Sequence, residues 1–192
     1  MAHKKDWSEY FEMTREKLPF SLLIEALKYV IRKNKAIDIG GGALRDTRHL
    51  LEEGFDVTVI DNSPLLENEA DRIKNNKLHA VIVSFEDFNF PKDEYDLAST
   101  MFALNFCNPI HFDTVFKKIK DSLKSGGIFC GQLFGNLDTW ANNPGMTYPS
   151  KEHLLRLLND FEVISFQEKE IDNKDWTDEV RSGHVFQFIV KN

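Results

Sequence analysis

Three consecutive glycines, Gly40, Gly41 and Gly42, stand between two acids, Asp38 and Asp61, and this group is the part of the chain best suited to chemistry. A glycine lets a ligand approach the backbone where a Cβ would collide with it. The N-terminus of a following helix offers unpaired N–H groups to that ligand. A carboxylate at the end of the next strand can accept hydrogen bonds from both hydroxyls of a ribose. Together these residues imply a nucleoside-containing ligand at the carboxyl ends of parallel strands.

The local sequence supplies the elements that this chemistry requires. Ala36, Ile37 and Ile39 enclose Asp38 in a short buried strand that stops at the glycines. Leu44, Thr47, Leu50 and Leu51 then recur at helical spacing over residues 43–53, and Gly54 suits a left-handed helix end. Val57, Val59 and Ile60 make a second strand over residues 55–61, ending on Asp61. The dinucleotide fingerprint G-x-G-x-x-G would need a glycine where Arg45 stands, which argues against an NAD-dependent oxidoreductase.

The spacing resembles motif I of the class I S-adenosylmethionine (SAM) methyltransferases, D/E-x-G-x-G-x-G. Asp38, Gly40 and Gly42 match it, and Leu44 replaces the last glycine. The resemblance extends through Asp61, the Tyr95-Asp96-Leu97 strand start and the Gly126-Gly127 turn, and so covers most of the chain. The small size and the N-terminal Trp/Tyr helix resemble the tellurite-resistance and thiopurine methyltransferases. This family implies an α/β fold, a doubly wound seven-stranded mixed sheet, mostly parallel with the last strand antiparallel, and helices on both faces. It also implies SAM as cofactor and S-adenosylhomocysteine as product.

The remaining pattern suits that fold. Helices are expected over residues 6–17, 20–33, 64–75, 109–123 and 151–158. Strands are expected over residues 79–83, 95–100, 128–134, 161–171 and 184–191, with a polar loop over 172–183. Residues 135–148 form a long stretch of little periodicity, of the kind that is functional or mobile. At 192 residues the chain reads as one domain, with residues 1–34 as an N-terminal helical cap.

Composition narrows the function classes. The net charge of −7 argues against a dedicated nucleic-acid binder. No apolar run approaches a membrane span, and no signal-peptide core follows the polar start. Two cysteines give no disulfide framework, and the histidines show no metal-ligand spacing. A cytoplasmic setting, no metal and no membrane partner are therefore expected.

The resemblance also implies roles for residues. Asp38, Gly40, Gly41, Gly42, Asp61 and Asn62 would hold the cofactor's backbone-facing and ribose parts. Ser84 and Phe85 would meet the adenine, or Glu86 if the loop is shifted. Thr100 and Met101 lie toward the sulfonium. Tyr10 and Arg15 would come from a lid helix, Arg15 with forked donors for a carboxylate. Phe102, Leu104, Phe106, Phe134 and Trp140 would line the acceptor side, with Cys107 beside them, and His111 is the candidate general base. A small-molecule acceptor is expected. The D/N-P-P-Y/F sequence of amino-group methylation is absent, since Ser99-Thr100-Met101-Phe102 stands there. RNA methylation, and a SAM-binding protein acting through a partner, are the alternatives.

Overall fold

The computed structural model describes residues 7–174 and 180–192. Seven strands form one sheet: β1 (Lys35–Ile39), β2 (Asp56–Asp61), β3 (Leu78–Ile82), β4 (Tyr95–Met101), β5 (Leu123–Phe134), β6 (Glu162–Lys174) and β7 (Val180–Lys191). Their order is β3-β2-β1-β4-β5-β7-β6. The first five are parallel, and β7 is inserted antiparallel between β5 and β6. The strand order reverses between β1 and β4, so the glycine turn after β1 opens at the crevice where such sheets bind ligands.

Among the described residues six α-helices cover the sheet: α1 (Trp7–Arg15), α2 (Ser21–Leu27), α3 (Arg45–Glu52), α4 (Leu65–Ile73), α5 (Phe112–Ser122) and α6 (Lys151–Leu158). Alternation along the strands divides the core. Ile37, Ile39, Ala98, Phe129 and Leu133 pack with Phe112, Val115, Phe116 and Ile119 of α5 and Leu154 and Leu158 of α6. Ala36, Val57, Leu97, Ile128 and Cys130 pack on the other face with Leu23, Ala26 and Leu27 of α2 and Leu50 and Leu51 of α3.

Several boundaries differ from the periodicity. The helix expected over 20–33 ends at Leu27. Its last turn tightens, with the N–H groups of Lys28, Tyr29 and Val30 bonding back three residues to Glu25, Ala26 and Leu27, and the chain then turns into β1. Asn108 caps an isolated turn, its side chain accepting Ile110 N–H at 3.0 Å, and α5 begins only at Phe112. The Gly126-Gly127 turn lies inside β5 as an irregularity, where the pairing jumps from Tyr95–Leu123 to Leu97–Ile128. Gly126 sits there at φ +77° and donates to the Asn192 carbonyl. The loop expected over 172–183 is strand at both ends, and its middle lies outside the described residues.

Candidate active site

The turn after β1 is held by its neighbours. The Ile60 carbonyl at the end of β2 accepts Gly40 N–H at 2.7 Å and Gly41 N–H at 3.3 Å. Gly40 has φ +75°, and a Cβ there would stand 2.1 Å from the Ala103 Cβ and 3.4 Å from the Phe85 ring. A Cβ on Gly41 would strike Val59 at 2.3 Å. At Gly42, φ +50°, a Cβ would meet nothing within 4 Å, so this glycine faces open space. Leu44 is left-handed at φ 63°, fully buried, and packs with Val59 and Leu66. It adopts a left-handed conformation that glycine takes without strain and leucine does not.

Three acids face this turn. Asp38 is 3% exposed and accepts the Thr47 hydroxyl at 2.6 Å and the Ser99 hydroxyl at 3.3 Å. Burial, with the Asp46 charge nearby, pushes its carboxyl up to about 7. Asp46, in the first turn of α3, is raised by burial and eased by the Phe20 N–H that it accepts at 2.8 Å. Asp61 accepts Gly42 N–H at 3.0 Å and Ser63 N–H at 2.9 Å, and burial raises it as well. This concentration of buried acid suits a ligand carrying positive charge.

A cap closes over the turn. Tyr10 and Thr14 of α1, Phe20, Arg45 and Met101 line a cavity of about 40 Å³ with Asp38, Asp46 and Gly40 to Ala43. Ligand sites run to roughly 300–1,000 Å³, so this cavity is a fraction of one. Three contacts latch it. Arg15 forms a two-pronged pair with Glu69 of α4 at 2.7 and 2.8 Å. Phe20 N–H binds Asp46. The Arg45 guanidinium lies 3.9 Å over the Phe20 ring and donates to the Leu18 carbonyl.

A row of aromatic rings lies beyond Met101. Phe102, at φ +59°, stacks on Phe134 with centroids 4.6 Å apart. Phe134 meets Trp140 edge-on at 5.6 Å, and Phe20 lies 6.0 Å from Phe102. Phe106, partly exposed, meets Trp7 at 5.4 Å. Behind the row, buried Asn105 donates to the Phe134 and Thr147 carbonyls at 2.9 and 2.6 Å and accepts Phe134 N–H at 2.9 Å. It ties the end of β5 to the loop that carries Trp140.

The remaining expected site residues lie elsewhere. Arg15 is turned to Glu69 and away from the cavity, because a buried carboxylate on α4 offers it both oxygens. Thr100 is on the opposite sheet face from Met101 and donates to the Ile39 carbonyl at 3.2 Å. Leu104 is buried in the layer under α5, and Cys107 is buried with it, its thiol pushed up to about 12, chiefly by burial. Glu86 accepts Asn108 N–H at 2.7 Å; burial raises it, but this bond and others bring it below its ordinary value. The Ser84 hydroxyl donates to Asp87 at 2.8 Å. Asn62 and His111 are exposed, and neither lines the cavity. Among the described residues no group of three His, Cys, Asp or Glu could hold a metal ion, and no helix is long and apolar enough to cross a membrane.

Sequence reasoning passed over Asp46, Arg45 and Gln132. Asp46 carried a signal, an acid in the first turn of a helix. In the sequence Arg45 stands out only as the residue that breaks the dinucleotide fingerprint. Its Nε is enclosed without a partner among the described residues, and so is the side-chain oxygen of Gln132.

An open glycine, a carboxylate bound to the backbone of that glycine, and excess buried acid fit a cofactor that carries a ribose and a sulfonium. On this strand order, with β7 antiparallel, the molecule has the Rossmann-like fold of class I SAM-dependent methyltransferases. Comparisons agree. The profile of a family described as a methyltransferase domain matches residues 36–127. TehB from Haemophilus influenzae superposes with a TM-score of 0.76 at 17% identity, over 97% of this chain and 67% of its own. A SAM-dependent methyltransferase from Methanosarcina mazei gives 0.71 at 18% identity, over 91% and 99%. The 1,6-didemethyltoxoflavin-N1-methyltransferase of Burkholderia thailandensis gives 0.66 at 20% identity, over 90% and 78%. Carboxy-S-adenosyl-L-methionine synthase of Nautilia profundicola is 31% identical over 135 residues, which is 64% of this chain and 56% of that protein. The chain thus spans little more than half the length of this curated relative. The matched profile covers just under half of the chain, and the solved structures share with the chain the fold of class I SAM-dependent methyltransferases.

Proposed function

We propose that this protein transfers the methyl group of SAM to a small-molecule acceptor by in-line displacement, with residues 1–192 acting as one domain and 1–34 as its cap. The observation that carries this reading is the aromatic row of Phe102, Phe134 and Trp140 next to the glycine turn. Asp61 would take the ribose hydroxyls, Gly42 would let the backbone approach the cofactor, and Phe85 would lie against the adenine. Arg45, with an unpartnered Nε, is better placed than Arg15 for the carboxylate end. When bound, SAM would supply an electrophilic methyl group on a positive sulfur, with the neutral thioether as leaving group to the acceptor's lone pair. The chain's own part is to align that lone pair and to keep water out. A general base is needed only where the attacking atom is protonated, and in that case the proton leaves to solvent or to a nearby side chain.

Several observations weigh against nucleic acid as the acceptor. Lys117 and Lys120 of α5 and Lys124 of β5 are paired with Asp121, Asp160 and Asp96, so three of the four lysines here have an acid beside them. A cytoplasmic setting belongs to the same proposal and is consistent with two free, buried cysteines.

The 31% identical relative supports a second reading, in which the product is a carboxylated form of SAM. One experiment separates the two. Thermal unfolding with SAM, S-adenosylhomocysteine and NAD in parallel should show stabilisation by the two adenosyl ligands alone. Mass spectrometry of reactions with an acceptor library should then show S-adenosylhomocysteine and a methylated product. Carboxylated SAM would favour the second reading, and no shift with either adenosyl ligand would overturn both.

A further inference from the structure

Strand β5 runs Ile128-Phe129-Cys130-Gly131-Gln132-Leu133-Phe134, with one amide among apolar residues. Gln132 is 4% exposed, and its Oε1 is enclosed with no hydrogen-bond partner among the described residues. A buried acceptor left unpaired is a cost that an apolar side chain of the same shape would not carry. Such a group calls for an explanation, and a functional role is one.

Its position indicates which ligand. Ile128 and Cys130 pack toward α2 and α3, and Phe129 and Leu133 pack toward α5, so alternation places Gln132 on the α2 face. Its neighbours across the sheet are Met101 on β4, which lines the cavity over the glycine turn, and Gln187 on β7, whose Oε1 accepts the Lys169 ammonium at 2.7 Å. Its backbone carbonyl accepts Phe102 N–H at 2.8 Å, and Phe102 stacks on Phe134 two residues along β5. The amide and the aromatic pair therefore belong to one wall, on the far side of Met101 from the residues that face the cofactor's ribose.

We propose that Gln132 orients the methyl acceptor, its Oε1 accepting an N–H or O–H from a flat ring that lies against Phe102 and Phe134. The acceptor class is then a planar aromatic or heteroaromatic molecule with a hydrogen-bond donor. Simple hydrocarbons and thioethers lack that donor and fall outside the class. This inference rests on the methyltransferase reading above and adds the acceptor's chemistry to it. A site built to bond a donor rejects the analogue without one far more strongly than an apolar pocket does.

The test compares the wild-type protein with Gln132→Met, which is close in shape, and with Gln132→Leu as a second variant should the first fold poorly. The probes are 5-hydroxyquinoline and 5-hydroxyindole against quinoline and indole, titrated by ligand-observed NMR with saturating S-adenosylhomocysteine. Wild-type protein is expected to bind the hydroxylated compounds at least tenfold more tightly than their partners. In the variant that difference should vanish, the stabilisation by S-adenosylhomocysteine should stay the same, and the melting temperature without ligand should rise. A fall in that melting temperature would mean that a buried water or the chain already satisfies Oε1, and the proposal is overturned. It is overturned equally if wild-type protein shows no preference for the donor or binds none of the four probes. Loss of the S-adenosylhomocysteine shift in the variant would assign Gln132 to the cofactor site instead. Absence of that shift in wild-type protein would remove the methyltransferase reading itself, a different failure.

Discussion

Leu44 offers a test in which two substitutions should rank opposite to ordinary helix preference. It is fully buried against Val59 and Leu66, and it sits at φ 63° as the residue before α3. Truncating a buried leucine to alanine costs about 2–5 kcal/mol. Leu44→Ala meets that cost and keeps the left-handed strain. Leu44→Gly meets a similar packing cost but releases roughly 1–2 kcal/mol of strain, less about 0.4–1 kcal/mol for the greater freedom of glycine in the unfolded chain. The glycine variant should therefore be the more stable of the two by about 1 kcal/mol, and both should be less stable than wild type. For a chain of this size that separates their melting temperatures by about 2–4 °C. Urea unfolding followed by circular dichroism gives both values. Neither variant should change S-adenosylhomocysteine affinity more than about threefold, because the Gly41 carbonyl and Leu44 N–H bond that closes the turn, 2.8 Å, involves no side chain. An alanine variant as stable as the glycine variant, or more so, would refute the strain argument.

Asp61→Ala should weaken S-adenosylhomocysteine binding by about 1.5–3 kcal/mol, the range for hydrogen bonds to a charged group, as read by calorimetry; an unchanged affinity would mean that Asp61 does not hold the ribose. Asp38 keeps its proton in the folded state up to about 7, whereas the unfolded chain releases it near pH 4. The folded state thus binds more protons between those values, and this residue makes stability fall as pH rises from about 4 to 7. Asp38→Asn removes that slope, so the difference in urea midpoint between variant and wild type should grow in the variant's favour across that window; a constant difference would show that Asp38 is ionised throughout. Arg15→Met cuts the latch to Glu69. Because that pair ties α1 to α4 beside the turn, stopped-flow tryptophan fluorescence should report faster S-adenosylhomocysteine association in the variant, and a slower rate would mean that Arg15 helps to admit the ligand.

The parts of this molecule that were legible in the sequence are those set by local pattern. Strand, glycine turn, helix and strand follow one another within residues 35–61, and each carries its own signal in hydrophobic period or backbone freedom. The antiparallel β7 came from the family resemblance rather than from periodicity, since a hairpin at the chain's end does not reveal which of its strands enters the sheet. Arg15 shows a different limit. Its type suits a carboxylate, but it pairs with Glu69, 54 residues away, and no spacing rule links the two. Leu104 and Thr100 stood in the right stretch with side chains turned to the α5 layer, because a 3-10 turn at Leu104–Phe106 and the pleat of β4 direct them there. The pleat was readable in principle. Asp38, Ser99 and Met101 share one face by period two and register, and the same count places Cys130, Gln132 and Phe134 together on β5. Applied to the wall of the site, that count sets Gln132 beside Met101, but the lack of a hydrogen-bond partner for its Oε1 among the described residues is visible only once the strands are packed.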